Sequence, residues 1–314
     1  MQTKKQISLV VPVFNEQDSI HPFYERTQQV LVAQPDISVE YIFVNDGSSD
    51  RTLLSLLDLS AKNSNIRIID LSRNFGKEAA LAAGIDLSKG DAIIPMDIDL
   101  QDPPELIPKM ILKWREGSDV VLARRVNRDT DSYLKRLTAN LFYQLHNVIS
   151  SIKIPENVGD YRLMDRRVIE NFKKLPESCR FTKGLFAWVG YEPAFVDFCR
   201  EPRRSGKTKF KGWGLWNFAL DGITSFSTAP LRVWGYIGLS VSILSFVLAA
   251  YIVYRNFFFG VAIPGYASLM VSMTLIGGLQ LVGIGILGEY IGRLYMESKN
   301  RPIYLIKEIY GEEK

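Results

Sequence analysis

Short apolar runs alternate with amphipathic stretches through the first part of the chain. Ile7-Ser8-Leu9-Val10-Val11-Pro12-Val13 is rich in β-branched residues and has the length and flanks of a buried strand. Phe14-Asn15-Glu16 closes it, and Asp18 or Ser19 is placed to cap a helix reaching about residue 33. A second strand over 39–44 ends in Asn45-Asp46-Gly47-Ser48-Ser49-Asp50, a polar turn before a helix over about 52–61. A third over 66–71 ends in Ser72-Arg73-Asn74-Phe75-Gly76-Lys77 and leads to a helix over about 78–87. The fourth runs Ile93-Ile94-Pro95-Met96 into Asp97-Ile98-Asp99, followed by a turn and a proline-started helix to about Trp114. A fifth, 120–123, ends in Arg124-Arg125. Strand and helix in alternation predict an α/β fold with a mostly parallel sheet covered on both faces.

The pattern then loosens. Residues 131–151 carry Leu134, Leu137, Leu141, Leu145 and Val148 at helical steps, with His146 a bystander. Asn157-Val158-Gly159-Asp160-Tyr161-Arg162-Leu163 reads as a glycine turn in which, taken alone, Asp160 and Arg162 form a surface salt bridge. Residues 181–191 read as aromatic core, and 200–211 as a basic segment, either a solvated linker or a loop closing on an anion. From Trp213 an amphipathic, tryptophan-bearing stretch suits a helix lying in a membrane interface.

Two uncharged stretches follow, 233–254 and 267–290, each longer than the roughly 18 residues that raise the expectation of a membrane span. Tryptophan and tyrosine gather near their ends, and basic residues flank the outer ends of the pair, so the positive-inside rule puts both termini in the cytoplasm of a multi-pass cell-membrane protein. Gly288 and Gly292 have a spacing that can pack two helices. The expected organisation is a cytoplasmic domain over 1–210, an amphipathic juxtamembrane segment over 211–231, a transmembrane pair within 232–294 and a cytoplasmic tail over 295–314.

Composition sharpens this picture at few points. The hydrophobic share of 47% lies disproportionately after Arg232. A net charge of +4, from 38 basic and 34 acidic residues, gives no reason to expect nucleic acid as a partner. Cys179 and Cys199 have no paired spacing and only two histidines accompany them, which argues against a structural zinc site or a disulfide framework. The N-terminus has no signal-peptide core.

The chemistry-bearing residues cluster at the expected carboxyl ends of the strands, where ligands bind in such sheets. No G-x-G-x-x-G follows the first strand, so one mononucleotide fits better than a dinucleotide. Asp97 and Asp99, at i and i+2 of a strand end, face the same side. Two converging carboxylates repel unless a cation or proton lies between them, and Mg²⁺ is usually held by one or two carboxylates together with substrate phosphates.

Val11-Pro12-Val13-Phe14-Asn15-Glu16, Asn45-Asp46-Gly47-Ser48, Asp97-Ile98-Asp99-Leu100-Gln101-Asp102-Pro103-Pro104-Glu105 and Gly159-Asp160-Tyr161-Arg162, in this order, resemble family 2 glycosyltransferases of the GT-A fold. The resemblance covers nearly the whole chain. It is nearest to the polyprenyl-phosphate glycosyltransferases, in particular the bactoprenol glucosyltransferases, with dolichol-phosphate mannose synthases as cousins.

That resemblance implies inverting transfer of a hexose, glucose first, from a UDP-sugar to undecaprenyl or another polyprenyl phosphate. It implies Mg²⁺ or Mn²⁺ held by Asp97 and Asp99, with Asp99 also in the catalytic set, and Asp160 in the position of the family's base. Pro12, Phe14, Glu16, Asp46, Arg73, Lys77, Asp97 and Ile98 would surround the nucleotide-sugar. Arg203, Gly206, Thr208 and Lys209 match a loop that closes over its phosphates. Arg125 and Arg128 are expected at the lipid phosphate, and a homo-oligomer, a tetramer as a guess, is expected as the assembly.

Two departures stand out: Asn45 replaces one acid of the pair many relatives carry, and Gly159 precedes Asp160 where soluble relatives have glutamate. Another donor (a UDP-aminosugar or GDP-mannose), a processive polysaccharide synthase and a non-catalytic lipid-carrier scaffold are the alternatives. The synthases' Q-x-x-R-W motif is absent, and the three aspartates speak against the scaffold.

Overall fold

The computed structural model describes residues 4–127, 155, 158–175, 177, 182–199, 227–259 and 265–311. The first half alternates as expected: β1 (Lys5–Val13), α1 (Ile20–Val32), β2 (Ile37–Asn45), α2 (Thr52–Ser60), β3 (Ile66–Leu71), α3 (Lys77–Leu87) and β4 (Ala92–Pro95). A 3₁₀ turn, Pro104–Leu106, opens α4 (Ile107–Arg115), and β5 (Val120–Asn127) follows. Then come β6 (Val158–Asp165), α5 (Arg166–Phe172), α6 (Thr182–Trp188), β7 (Pro193–Cys199), α7 (Ala229–Phe259), α8 (Tyr266–Ser298) and β8 (Ile306–Tyr310).

The eight strands among the described residues join one sheet in the order β7-β5-β6-β4-β1-β2-β3-β8. β1 pairs in parallel with β2 and β4, β2 with β3, and β5 with β7, whereas β6 and β8 run against their neighbours. β1 shows why its sequence is apolar at nearly every position: Ile7, Leu9, Val11 and Val13 enter the core layer beneath α1, α2 and α4, and Val10 enters the layer beneath α3, α5 and α6. The buried hydroxyl of Ser8 is satisfied by Glu40 Oε2 at 2.7 Å. α3 lies close on the sheet because its buried face is small: Ala79, Ala80, Ala83 and Gly84, where a Cβ on Gly84 would strike Val10.

Five expectations need correction. β5 runs on through Arg124 and Arg125, because β7 offers pairing as far as Arg125↔Phe198 and Asn127↔Cys199. The stretch read as a glycine turn is the strand β6, whose Arg162 is 5% exposed and forms no surface pair with Asp160. Arg162 instead donates to Gly159 O at 2.8 Å and lies over the Phe186 ring. Ser19 does occupy the N-cap of α1, but its hydroxyl donates to Glu16 Oε2 at 2.9 Å rather than capping. Gly288 and Gly292 meet no neighbour within 4 Å; Gly283 is the glycine that packs the two long helices, against Trp234. Finally, the segment after the second long helix returns to the sheet as β8.

α7 and α8 are long and apolar enough to cross a membrane, with windows Leu231–Leu248 and Leu275–Ser298 of mean hydropathy 1.6 and 1.5. Phe246, Phe257 and Leu281 are among their largely exposed side chains. The helix expected over 131–151, with His146, and the segment over 200–226 lie outside the described residues, as does Cys179.

Candidate active site

At the carboxyl ends of β1, β2, β3 and β4 lies a cavity of about 280 Å³ lined by Pro12, Phe14, Glu16, Asp46, Asn74, Gly76, Lys77, Asp97, Ile98 and Asp99, among others. Three successive turns build it, and each is tied to the next. Asn15, in the left-handed conformation (φ 53°), accepts from Ser49 N at 2.8 Å and its own N–H reaches Ser48 Oγ at 3.0 Å, which fastens the β1 turn to the β2 turn. Asp46 fastens the β2 turn to the β3 turn: its two carboxylate oxygens accept from Phe75 N at 2.7 Å and Gly76 N at 2.9 Å. Burial raises the Asp46 carboxyl above the ordinary range, opposed by those two amides and by Arg73.

Gly47 makes that closeness possible. Its φ is +64°, and a Cβ there would stand 2.5 Å from Arg73 C and Asn74 N. Gly47→Ala is therefore expected to cost at least the about 1–2 kcal/mol of a left-handed non-glycine residue, with the backbone clash adding to it. A thermal melt unchanged from that of the parent chain would contradict this.

Asp97 and Asp99 converge on the cavity by a different route from the one the alternation suggested. β4 ends at Pro95, so both lie in the turn beyond it, where Leu100 is left-handed (φ 54°) and Asp99 Oδ1 accepts from Gln101 N at 3.1 Å. Asp160 reaches the same place because β6 is antiparallel. Its first residues therefore lie beside the last residues of β5, where Val158 pairs with Arg124.

Lys77, at the first turn of α3, joins the two: its Nζ is 2.7 Å from Asp97 Oδ1 and 3.0 Å from Asp160 Oδ2. Burial would lower the ammonium's affinity for its proton, but Asp97 and then Asp160 outweigh this and hold it firmly protonated. Behind them, burial pulls Arg162 down to about 10, opposed by Asp160 and Glu78, so it stays charged at neutral pH.

Asp97 and Asp99 are the residues that would hold a metal ion, and the Lys77 ammonium already lies against Asp97. Among the described residues no group of three or more potential ligands converges. Two aspartates would leave most of a Mg²⁺ or Mn²⁺ coordination shell to phosphate and water, as the preference of such ions requires.

Not every expected residue is here. Arg73 is not among the residues lining the cavity; its guanidinium stacks over Phe75 at 4.0 Å and donates to Asn74 O. Arg125 is also not among the lining residues; it lies beside Gly159 and 3.8 Å from Asp102. Arg128, Arg203, Gly206, Thr208 and Lys209 fall outside the described residues. Asn15, Asn74 and Gly76 are not among the residues expected at the site from sequence, although the run Arg73-Asn74-Phe75-Gly76 between strand and helix carries the signal.

Comparison with known proteins places the sequence in a family. Residues 8–172 match the model of glycosyl transferase family 2, and residues 229–294 match that of the GtrB C-terminal hairpin. The chain is 53% identical over 302 residues to the bactoprenol glucosyl transferase of Shigella phage SfV, covering 96% of this chain and 98% of that one. It is 52% identical over 304 residues to the prophage bactoprenol glucosyl transferase homolog of Escherichia coli K12, covering 97% and 99%. It is 42% identical over 308 residues to the uncharacterized glycosyltransferase YkcC of Bacillus subtilis, covering 98% and 95%. With both parts of its sequence matched and a mostly parallel sheet in place, the chain belongs to glycosyl transferase family 2, with the GT-A fold and a carboxy-terminal helical hairpin.

Proposed function

We propose that this glycosyltransferase moves glucose from UDP-glucose to undecaprenyl phosphate, or a polyprenyl phosphate like it, at the cytoplasmic face of a membrane. One observation carries the reading: Asp97 and Asp160 face one another across the single Lys77 ammonium, and Asp97 and Lys77 line a cavity of about 280 Å³. A diphosphate anchored at Asp97 would thus present its sugar to Asp160. The names of the near-full-length relatives supply the donor sugar and the lipid.

In this reading the uridine and ribose lie against Pro12, Phe14, Glu16 and Asp46, and Asp97 with Asp99 hold the divalent cation. When bound, that ion neutralises charge on the departing diphosphate. An oxygen of the acceptor phosphate attacks the anomeric carbon. The bond from that carbon to the β-phosphate oxygen breaks, and UDP leaves with the electron pair. The configuration inverts because displacement is single.

A phosphate monoester has a second pKa of about 6, so the attacking oxygen is ionised without help. Asp160 therefore acts by orienting the acceptor and by facing the positive charge that grows on the sugar. Arg125, beside Gly159, is placed to meet the acceptor phosphate, with Arg128 and the loop bearing Arg203 and Lys209 completing the phosphate contacts.

α7 and α8 cross the bilayer. An even number of crossings returns β8 to the side of the sheet it joins, and the basic flanks make that side cytoplasmic. The exposed faces of the two helices also leave room for a homo-oligomer.

The test is transfer of labelled glucose from UDP-glucose to undecaprenyl phosphate by purified protein in detergent, with and without a chelator. Chelator-sensitive labelled lipid is the expected result. Product only from another nucleotide-sugar would replace the donor, and no transfer from any donor would overturn the reading.

A further inference from the structure

β8 enters the sheet from about 240 residues away in sequence, and one of its side chains reaches the buried carboxylate of Asp70 on β3. The strand is seated at three points. Ser72 N donates to Leu305 O at 2.9 Å, the Tyr304 hydroxyl donates to Asp86 Oδ2 at 2.9 Å, and the register pairs Asp70 with Glu308. At this register, beside an irregularity between Asp70 and Leu71, the Lys307 ammonium lies 3.3 Å from Asp70 Oδ2.

Asp70 is the unusual partner. Its side chain is only 3% exposed, in a strand whose other residues are all buried. A carboxylate so placed needs both hydrogen bonds and a countercharge. Its other oxygen accepts from Asn45 Nδ2 at 2.7 Å, directly across from it on β2. Asn45 Oδ1 in turn accepts from Ser48 N at 3.3 Å, closing the turn that holds Asp46 and Gly47. The departure at position 45 now has a reason: an aspartate there would face Asp70, carboxylate against carboxylate, whereas an amide donates to one neighbour and accepts from the other.

We infer that the strand returned by the helical hairpin is a working part of the donor site: Lys307 neutralises Asp70, Asp70 fixes the Asn45 amide, and Asn45 sets the turn that carries Asp46. Lys307, Asp70 and Asn45 are positioning residues, none of them lining the cavity. Donor affinity thereby depends on the segment that follows the two long helices. Asp46 also holds the β3 turn leading to Lys77, so displacement at Asn45 is passed to both walls of the cavity. The inference rests on the cavity being the nucleotide site.

The experiment measures UDP binding by calorimetry, with Mn²⁺, on the full chain in detergent, alongside donor KM, kcat and thermal melts. Lys307 is largely exposed, so its replacement spares the core. Lys307→Met is expected to weaken UDP binding by about tenfold, the scale of coupling between residues in direct contact, with the loss in donor KM rather than kcat. Lys307→Arg should bind UDP as the parent does. Lys307→Met combined with Asp70→Asn should recover most of the affinity, because no buried charge is left without a partner.

Unchanged UDP affinity in Lys307→Met would overturn the inference. So would a loss that Asp70→Asn does not recover, or one that merely follows the melting temperature across the set. Failure of the parent chain itself to bind UDP would overturn the nucleotide reading of the cavity, and the inference with it.

Discussion

Asp160→Asn is expected to lower kcat by about a hundredfold, the cost of a misplaced reacting group, while UDP affinity stays within about twofold of the parent's. The substitution keeps the shape of the side chain and removes its charge. It leaves Lys77 paired with Asp97 alone, so the ammonium would shift toward the diphosphate side and the acceptor would lose the carboxylate that orients it.

The pH profile separates orientation from proton removal. If Asp160 only orients, the residual rate of the variant rises with ionisation of the acceptor phosphate, around its second pKa of about 6, and is flat above that. If Asp160 removes a proton, the residual rate continues to climb with hydroxide through neutral pH and beyond. A steady climb above pH 8 would sink the orienting role.

The parts of this molecule legible in its sequence are those whose pattern is local. β1 to β4 are short apolar runs because parallel strands are buried on both faces, and their ends carry the polar turns because that is where the helices of an α/β unit begin. Pro12, Phe14, Glu16, Asp46, Lys77, Asp97, Ile98 and Asp99 all line one cavity for this reason.

What escaped depends on partners distant in the chain. β6 carries Asp160 and Arg162, which interrupt its apolar pattern. Its direction, which brings Asp160 to the site, is set by β4 and β5 on either side. β8 carries Ile306, Lys307 and Glu308 all exposed, as an edge strand does, and only its pairing with β3 makes it a strand. Asp97 and Asp99 line the same cavity, placed there by a turn with a left-handed Leu100 rather than by strand alternation. Asn45 reads as a lost acid from sequence alone, and only the fold places Asp70 opposite it.

Asp97→Asn and Asp99→Asn are each expected to abolish the strengthening of UDP binding by Mn²⁺ and to lower kcat/KM by about 10³-fold. That figure follows from the several kcal/mol a bound cation contributes to charge stabilisation. The two should nonetheless differ without metal. Asp97 shares Lys77 with Asp160, so Asp97→Asn leaves that ammonium to Asp160 alone, whereas Asp99→Asn leaves the bridge intact. UDP binding without Mn²⁺ should therefore change in Asp97→Asn and stay at the parent value in Asp99→Asn. Calorimetric titration of UDP with and without Mn²⁺, backed by the paramagnetic resonance signal of free Mn²⁺, reads both effects. If either variant kept metal-dependent UDP binding, that carboxylate would not be a ligand. The cavity's cation would then have to rest on the other aspartate and the diphosphate, because among the described residues no third carboxylate, histidine or cysteine converges with the pair.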